Sequence, residues 1–210
     1  MKIKTIRFNK KAEFTTEQEK MIKNMIITVA LFAAGVIIGA GIMGKGSSNV
    51  FLSDFKSVFT IFINKRTDLK FYEIFFNSFI INFVFIAAVF CAGLSCIGLP
   101  VVISAPVIKG IGYGMLSGYL LTEYSMNGVG YYLLTILPSG VMFMAILLLA
   151  SSSAWILSKE LLAIIFEKKQ PDSTAVITYI KRYAVYFAGT VLTSAVETVF
   201  IKAFAYLFTF

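Results

Sequence analysis

Between Phe75 and Leu121 the chain runs for 47 residues with one charged side chain, Lys109. A helix needs about 20 apolar residues to cross the roughly 30 Å hydrocarbon layer of a bilayer, so this run is long enough for two crossings. Its one plausible turn is Gly98-Leu99-Pro100, because proline lacks the amide that would continue a helical ladder. Further apolar runs begin at Met25, Tyr131 and Tyr183. Five spans follow, at about 25–43, 75–97, 99–121, 131–157 and 183–208. The composition agrees: 58% of the 210 residues are hydrophobic and 14% charged, too apolar for a soluble domain of this length. The expected fold is an all-α integral membrane bundle, with residues 1–24 as a basic tail and 25–210 as a single transmembrane domain.

The first apolar run is too long for the h-region of a secretory signal, and no clean cleavage site follows it, so it reads as a retained helix. Lysines and arginines near span ends orient the bundle. The N-terminal tail holds seven, and the segment between spans four and five holds Lys159, Lys168, Lys169, Lys181 and Arg182. The opposite side holds five, all within residues 44–74, and none in 122–130. This bias places the N-terminus in the cytoplasm and, after an odd number of crossings, the C-terminus outside. It also accounts for most of the net charge of +8, and no nucleic-acid-binding motif accompanies that charge, so no nucleic-acid partner is expected. Cys91 and Cys96 have the spacing of neither a zinc site nor an ordinary disulfide and read as apolar filler.

Shorter signals lie between the spans. Thr16-x-x-Glu19 has the capping-box pattern and predicts a short helix leading into span one. In NVFLSDFKSVFTIF, Phe51, Leu52, Phe55, Val58, Phe59 and Phe62 recur at helical period with polar residues opposite. This amphipathic helix in the first outer loop is too short to span, and either lipid or the protein's own bundle can cover its apolar face. Lys168 and Lys169 suit the end of the helix that continues span four, Pro171 breaks it, and Asp172, Ser173 or Thr174 can cap the next.

Span three carries Gly110, Gly114 and Gly118 four residues apart, which stacks them on one helix face. Gly35 and Gly39 give span one a shorter version. Such faces let another backbone approach closely, within the chain, in a homo-oligomer or against another protein. Pro100, Pro106 and Pro138 are candidate helix breaks. Lys109 and Glu197 are candidate mid-membrane charges, which are costly unless paired or hydrated. A pair between them is one hypothesis; a snorkelling Lys109 and a neutral Glu197 are the others. Thr190, Thr193, Ser194 and Glu197 share a face of span five that should look into the bundle.

The chain has no histidine, the commonest general base. It also lacks a Walker A loop, H-E-x-x-H and G-x-S-x-G. Neither an enzyme nor a cofactor is expected.

Asn77 and Asn82 in NSFIINF, then GLSCIGLPVVISAPVIKGIGYG, then NGVGYYLLTILPSG with Pro138, and small residues from Ala150 to Ala154 follow one another over residues 75–160. This order resembles the stage II sporulation protein M family and its wider relatives, although Ser139 stands where many of them carry His or Asn. The resemblance implies a five-span protein of endospore-forming bacteria. It would act in engulfment as a scaffold that localises the cell-wall-degrading stage II sporulation proteins D and P at the septal membrane. The rival reading is a small transporter or channel-like protein with broken helices.

Overall fold

The computed structural model describes residues 2–44, 54–61, 63, 69–95, 97–167 and 173–208, and the side chains of 19, 21–44, 54–61, 63, 69–95, 97–166 and 174–208. The helices are α1 (Lys2–Gly44), α2 (54–61), α3 (Phe71–Gly93), α4 (Leu99–Tyr131), α5 (Leu137–Glu167) and α6 (Ser173–Phe204). A π-helical turn, Tyr132–Ile136, joins α4 to α5, and a 3-10 turn, Ala205–Leu207, follows α6. There is no strand among the described residues. Four stretches are long and apolar enough to cross a membrane: Met21–Gly44, Phe71–Gly93, Leu99–Phe166 and Thr174–Leu207.

The third stretch has 68 residues, and it does not run straight. Ser125 has φ 51° and ψ −130° amid otherwise helical backbone. A Cβ added to Gly128 would lie 2.7 Å from the carbonyl carbon of Leu120 and 3.0 Å from Cβ of Tyr124. Eight residues along a straight helix are about 12 Å apart, so the chain folds back on itself here. The loop expected over 122–130 is therefore helix on both sides of a one-residue reversal. Its dihedrals are those of the first central residue of a type II′ turn, where glycine is preferred because a side chain strains positive φ. Ser125→Gly is expected to raise stability by about 1 kcal/mol, read as a higher unfolding temperature in detergent. Ser125→Val should lower it.

The proline expectations need correction. The turn between α3 and α4 lies at Leu94–Gly98, closed by the Ser95 amide on the Ala92 carbonyl (3.0 Å) and the Gly98 amide on Ser95 (3.2 Å). Pro100 sits inside the first turn of α4, where its missing donor has no helical acceptor to satisfy. At Pro106 the helical dihedrals continue, so α4 does not break there. Two turns into the helix, that proline removes the donor for the Val102 carbonyl without ending α4. Pro138 follows the π turn at Tyr132–Ile136, a locally widened stretch that stands where the sequence suggested a weak point.

α5 is central and touches α1, α3, α4 and α6, while α1 packs chiefly on α4, and α3 on α5 and α6. One buried cluster includes Val89, Val102, Leu147, Ala154 and Tyr183; a second includes Met43, Ile63, Tyr119, Tyr131 and Ile201. The polar face of α6 is buried at Thr190, Thr193, Ser194 and Thr198, and Glu197 is half-buried. Each of those four hydroxyls donates to a carbonyl three or four residues back, which satisfies it without leaving the helix.

α2 lies on the bundle. Phe59 packs on Tyr119 with ring centroids 5.6 Å apart, Thr60 Oγ1 and the Tyr119 hydroxyl share a 2.7 Å hydrogen bond, and Lys56 pairs with Glu123. Phe55, Phe59 and Ile63 thus form the inward register, and Val58 and Ile61 are 61% and 60% exposed. Phe51, Leu52 and Phe62 lie outside the described residues, as do Cys96, Lys168, Lys169, Pro171, Asp172 and the side chain of Thr16. The backbone of α1 is helical on both sides of Thr16 and Glu19, so no helix begins at that pattern.

Candidate functional site

The two glycine faces read separately from the sequence meet each other. A Cβ on Gly35 would lie 2.5 Å from the Val107 carbonyl oxygen, and one on Gly110 2.5 Å from that of Phe32. A Cβ on Gly39 would strike the Ile111 carbonyl oxygen and come within 2.8 Å of the Met115 amide. On Gly114 it would strike the Val36 carbonyl oxygen and approach the Ala40 amide to 2.9 Å, and on Gly118 it would meet Cβ of Met43 at 3.0 Å. Residue numbers rise together along both helices, so α1 and α4 are parallel neighbours in backbone contact. In lipid, where burying apolar surface gives little drive, such close van der Waals approach is a main source of helix association.

Beside this seam stands a second constellation. The Lys109 ammonium lies 4.6 Å from the ring centroid of Phe85, 4.7 Å from Phe143 and 5.7 Å from Tyr113. It also donates to Oδ1 of Asn82, at 3.3 Å. Three helices supply this cage: Asn82 and Phe85 come from α3, Tyr113 from α4 and Phe143 from α5. Asn82 is 5% and Phe143 1% exposed, so the charge is held against the interior of the bundle. The Tyr113 ring in turn rests on Gly140, where an added Cβ would lie 3.3 Å away, and meets Phe32 of α1 edge-on at 6.3 Å.

Magnitudes explain why a lysine is tolerated here. Placing one at the centre of a spanning helix costs about 2.5–3.5 kcal/mol on insertion scales. A desolvated cation over an aromatic face gains up to about 2 kcal/mol, so the three rings offset that cost.

Spacing holds part of the cage. Phe85 follows Asn82 by three residues and Tyr113 follows Lys109 by four, so each pair shares a helix face. Phe143 could not have been found that way, since only tertiary packing brings α5 beneath Lys109.

A set of hydroxyl-to-carbonyl bonds between helices also went unread. Ser152 donates to Met21, Ser158 to Ser95, Tyr179 to Phe90 and Tyr183 to Ala150, each at 2.9 Å. Ser152 belongs to the small-residue run on α5, which was legible only as small. These bonds tie α5 and α6 to their neighbours near the Leu94–Gly98 turn. Among the described residues no three His, Cys, Asp or Glu side chains gather as metal ligands.

No curated protein and no solved structure matches the chain. The model of the family described as Stage II sporulation protein M matches residues 25–205, a range that holds the glycine seam, the Lys109 cage and the reversal at Ser125. With most of its length inside that match, this multi-pass membrane protein belongs to the sporulation-related Stage II sporulation protein M family.

Proposed function

We propose that the protein is a noncatalytic membrane scaffold of sporulation that gathers wall-degrading partners at the septal membrane during engulfment. The partners expected from the family resemblance are stage II sporulation proteins D and P. The observation that carries this reading is the family match over residues 25–205. In this reading the 68-residue stretch crosses twice, reversing at Ser125, so the chain has five spans with its N-terminus in the cytoplasm.

The packing supports a scaffold and narrows where partners bind. The glycine faces are used up between α1 and α4, so they are not the docking surface for another protein. In this reading α2 stands on the side towards the wall, with Val58 and Ile61 exposed for a partner. Copurification of the tagged protein from its own sporulating cells in mild detergent should recover wall hydrolases. Val58→Asp with Ile61→Asp should lose them while the protein remains folded. A preparation free of hydrolases would end the scaffold reading.

The cage and the π turn favour one rival, a small transporter, because both put charge and irregular helix inside the bundle. Solute-dependent permeability abolished by Lys109→Met would support it, and intact permeability with lost partners would not.

A further inference from the structure

α3 packs on α4, α5 and α6 and buries Ile74, Ser78, Asn82, Ile86 and Val89. A second stripe of the same helix is left uncovered: Asn77, Ile81, Val84, Ala88 and Cys91 are all exposed. Their spacing alternates four and three, so they belong to two interleaved seven-residue series that keep to one line along the helix. An amide on that line is out of place. Asn77 stands six residues after Phe71, where the span begins, or about 9 Å along the axis, and acyl chains offer an amide neither donor nor acceptor. Among the described residues none gives the Asn77 amide a hydrogen bond, whereas Asn82, on the inward side, accepts from Lys109.

We propose that this stripe is the contact between two copies of the chain, related by a two-fold axis along the membrane normal. Two observations select a second copy. An asparagine amide is both donor and acceptor, so two Asn77 side chains face to face satisfy each other, which neither lipid nor an apolar helix could do. The seven-residue repeat, in parallel helices, also sets each stripe residue on its own counterpart. The stripe fits itself at every level: amide on amide, β-branched Ile81 and Val84 in the middle, and Ala88 and Cys91 at the far end, small enough for the two helices to close. No like charges are brought together along it. Glu73, one turn before Asn77, keeps its carboxylate on the Lys70 amide at 2.9 Å, at the start of the helix. The pairing needs no wall hydrolase, so it stands or falls apart from the scaffold reading.

Cys91 reads the contact directly. Cys96→Ala leaves it as the one cysteine of the full chain. Copper phenanthroline added to membranes that hold this variant should yield a disulfide-linked dimer, which requires the two Cα atoms to lie within about 7 Å. With both native cysteines replaced by alanine, Val84→Cys should link in the same way. Phe83→Cys, exposed one residue away but off the stripe, should not. Asn77→Leu should cut linking through Cys91 about ten-fold at equal protein density, the effect of losing an amide pair inside the membrane.

Equal linking through Val84→Cys and Phe83→Cys marks random collision and would overturn the proposal. So would Cys91 joined to a chain of different mass, Cys91 left unlinked, or Asn77→Leu linking as fully as the parent.

Discussion

Gly114→Leu is expected to separate α1 from α4 and to cost more than about 3 kcal/mol, the upper range for overpacking a filled interior. The size follows from what a Cβ meets there: the Val36 carbonyl oxygen and the Ala40 amide, both main-chain atoms of a helix. A side-chain neighbour could change rotamer; a helix backbone can only move as a unit. Moving α1 outward at Gly114 also opens the contacts at Gly35, Gly39, Gly110 and Gly118, so the loss is cooperative along the seam. The molecule contains its own control. Gly112 and Gly41 lie on the same two helices with nothing within 4 Å of an added Cβ. Gly112→Leu and Gly41→Leu should therefore unfold in detergent at nearly the parent temperature, while Gly114→Leu unfolds far below it. Equal behaviour of Gly112→Leu and Gly114→Leu would mean that α1 does not sit on α4 as described. A partner lost from Gly114→Leu would, by the same argument, report a broken bundle and not an interface.

The seam also shows what kind of information the sequence holds. Five glycines at four-residue spacing announce two flat helix faces, but spacing says nothing about which face meets which; pairing is a property of helices distant in the chain. The prolines failed for a related reason. Pro100 and Pro106 look alike as breakers, yet a proline's effect depends on how many acceptors precede it in the helix, hence on where the helix starts. The sequence placed Gly98-Leu99-Pro100 in the turn, whereas α4 is already helical at Leu99, and that makes Pro100 a first-turn residue. A reversal within 122–130 was legible, but not its pivot at Ser125: in Glu-Tyr-Ser-Met-Asn neither glycine nor proline marks it. What closes it is Gly128 backing onto Leu120, a contact three residues beyond the bend. The apolar stripe around α2 was legible, but the choice between lipid and bundle was not. It turns on Tyr119 and Glu123, which stand some 60 residues further along the chain.

Lys109→Glu is expected to be the most damaging change of a single charge in the bundle, and it tests whether the site is a cation seat or merely a space. The faces of Phe85, Phe143 and Tyr113 carry the negative lobe of the ring quadrupole, so a carboxylate there is repelled by the same groups that attract the ammonium. Asn82 can rotate its amide to offer a donor, which relieves one contact and leaves the three rings unchanged. Removing attraction and adding repulsion at this depth should cost at least about 3 kcal/mol, seen as loss of folded protein from the membrane. Lys109→Met keeps most of the volume and discards the charge. It forgoes the ring contacts but also the cost of burying an ammonium, so it should change stability by only about 1 kcal/mol. Phe143→Leu separates these terms: combined with Lys109→Met in a double-mutant cycle, it should show a coupling of about 1 kcal/mol, against none with Gly112→Leu. If Lys109→Met is as damaging as Lys109→Glu, the ammonium is needed for more than its seat on the rings. The partnership with Glu197 would then be the next pair to exchange, because reversing both charges restores a genuine ion pair and cannot rescue a cation held by aromatic faces.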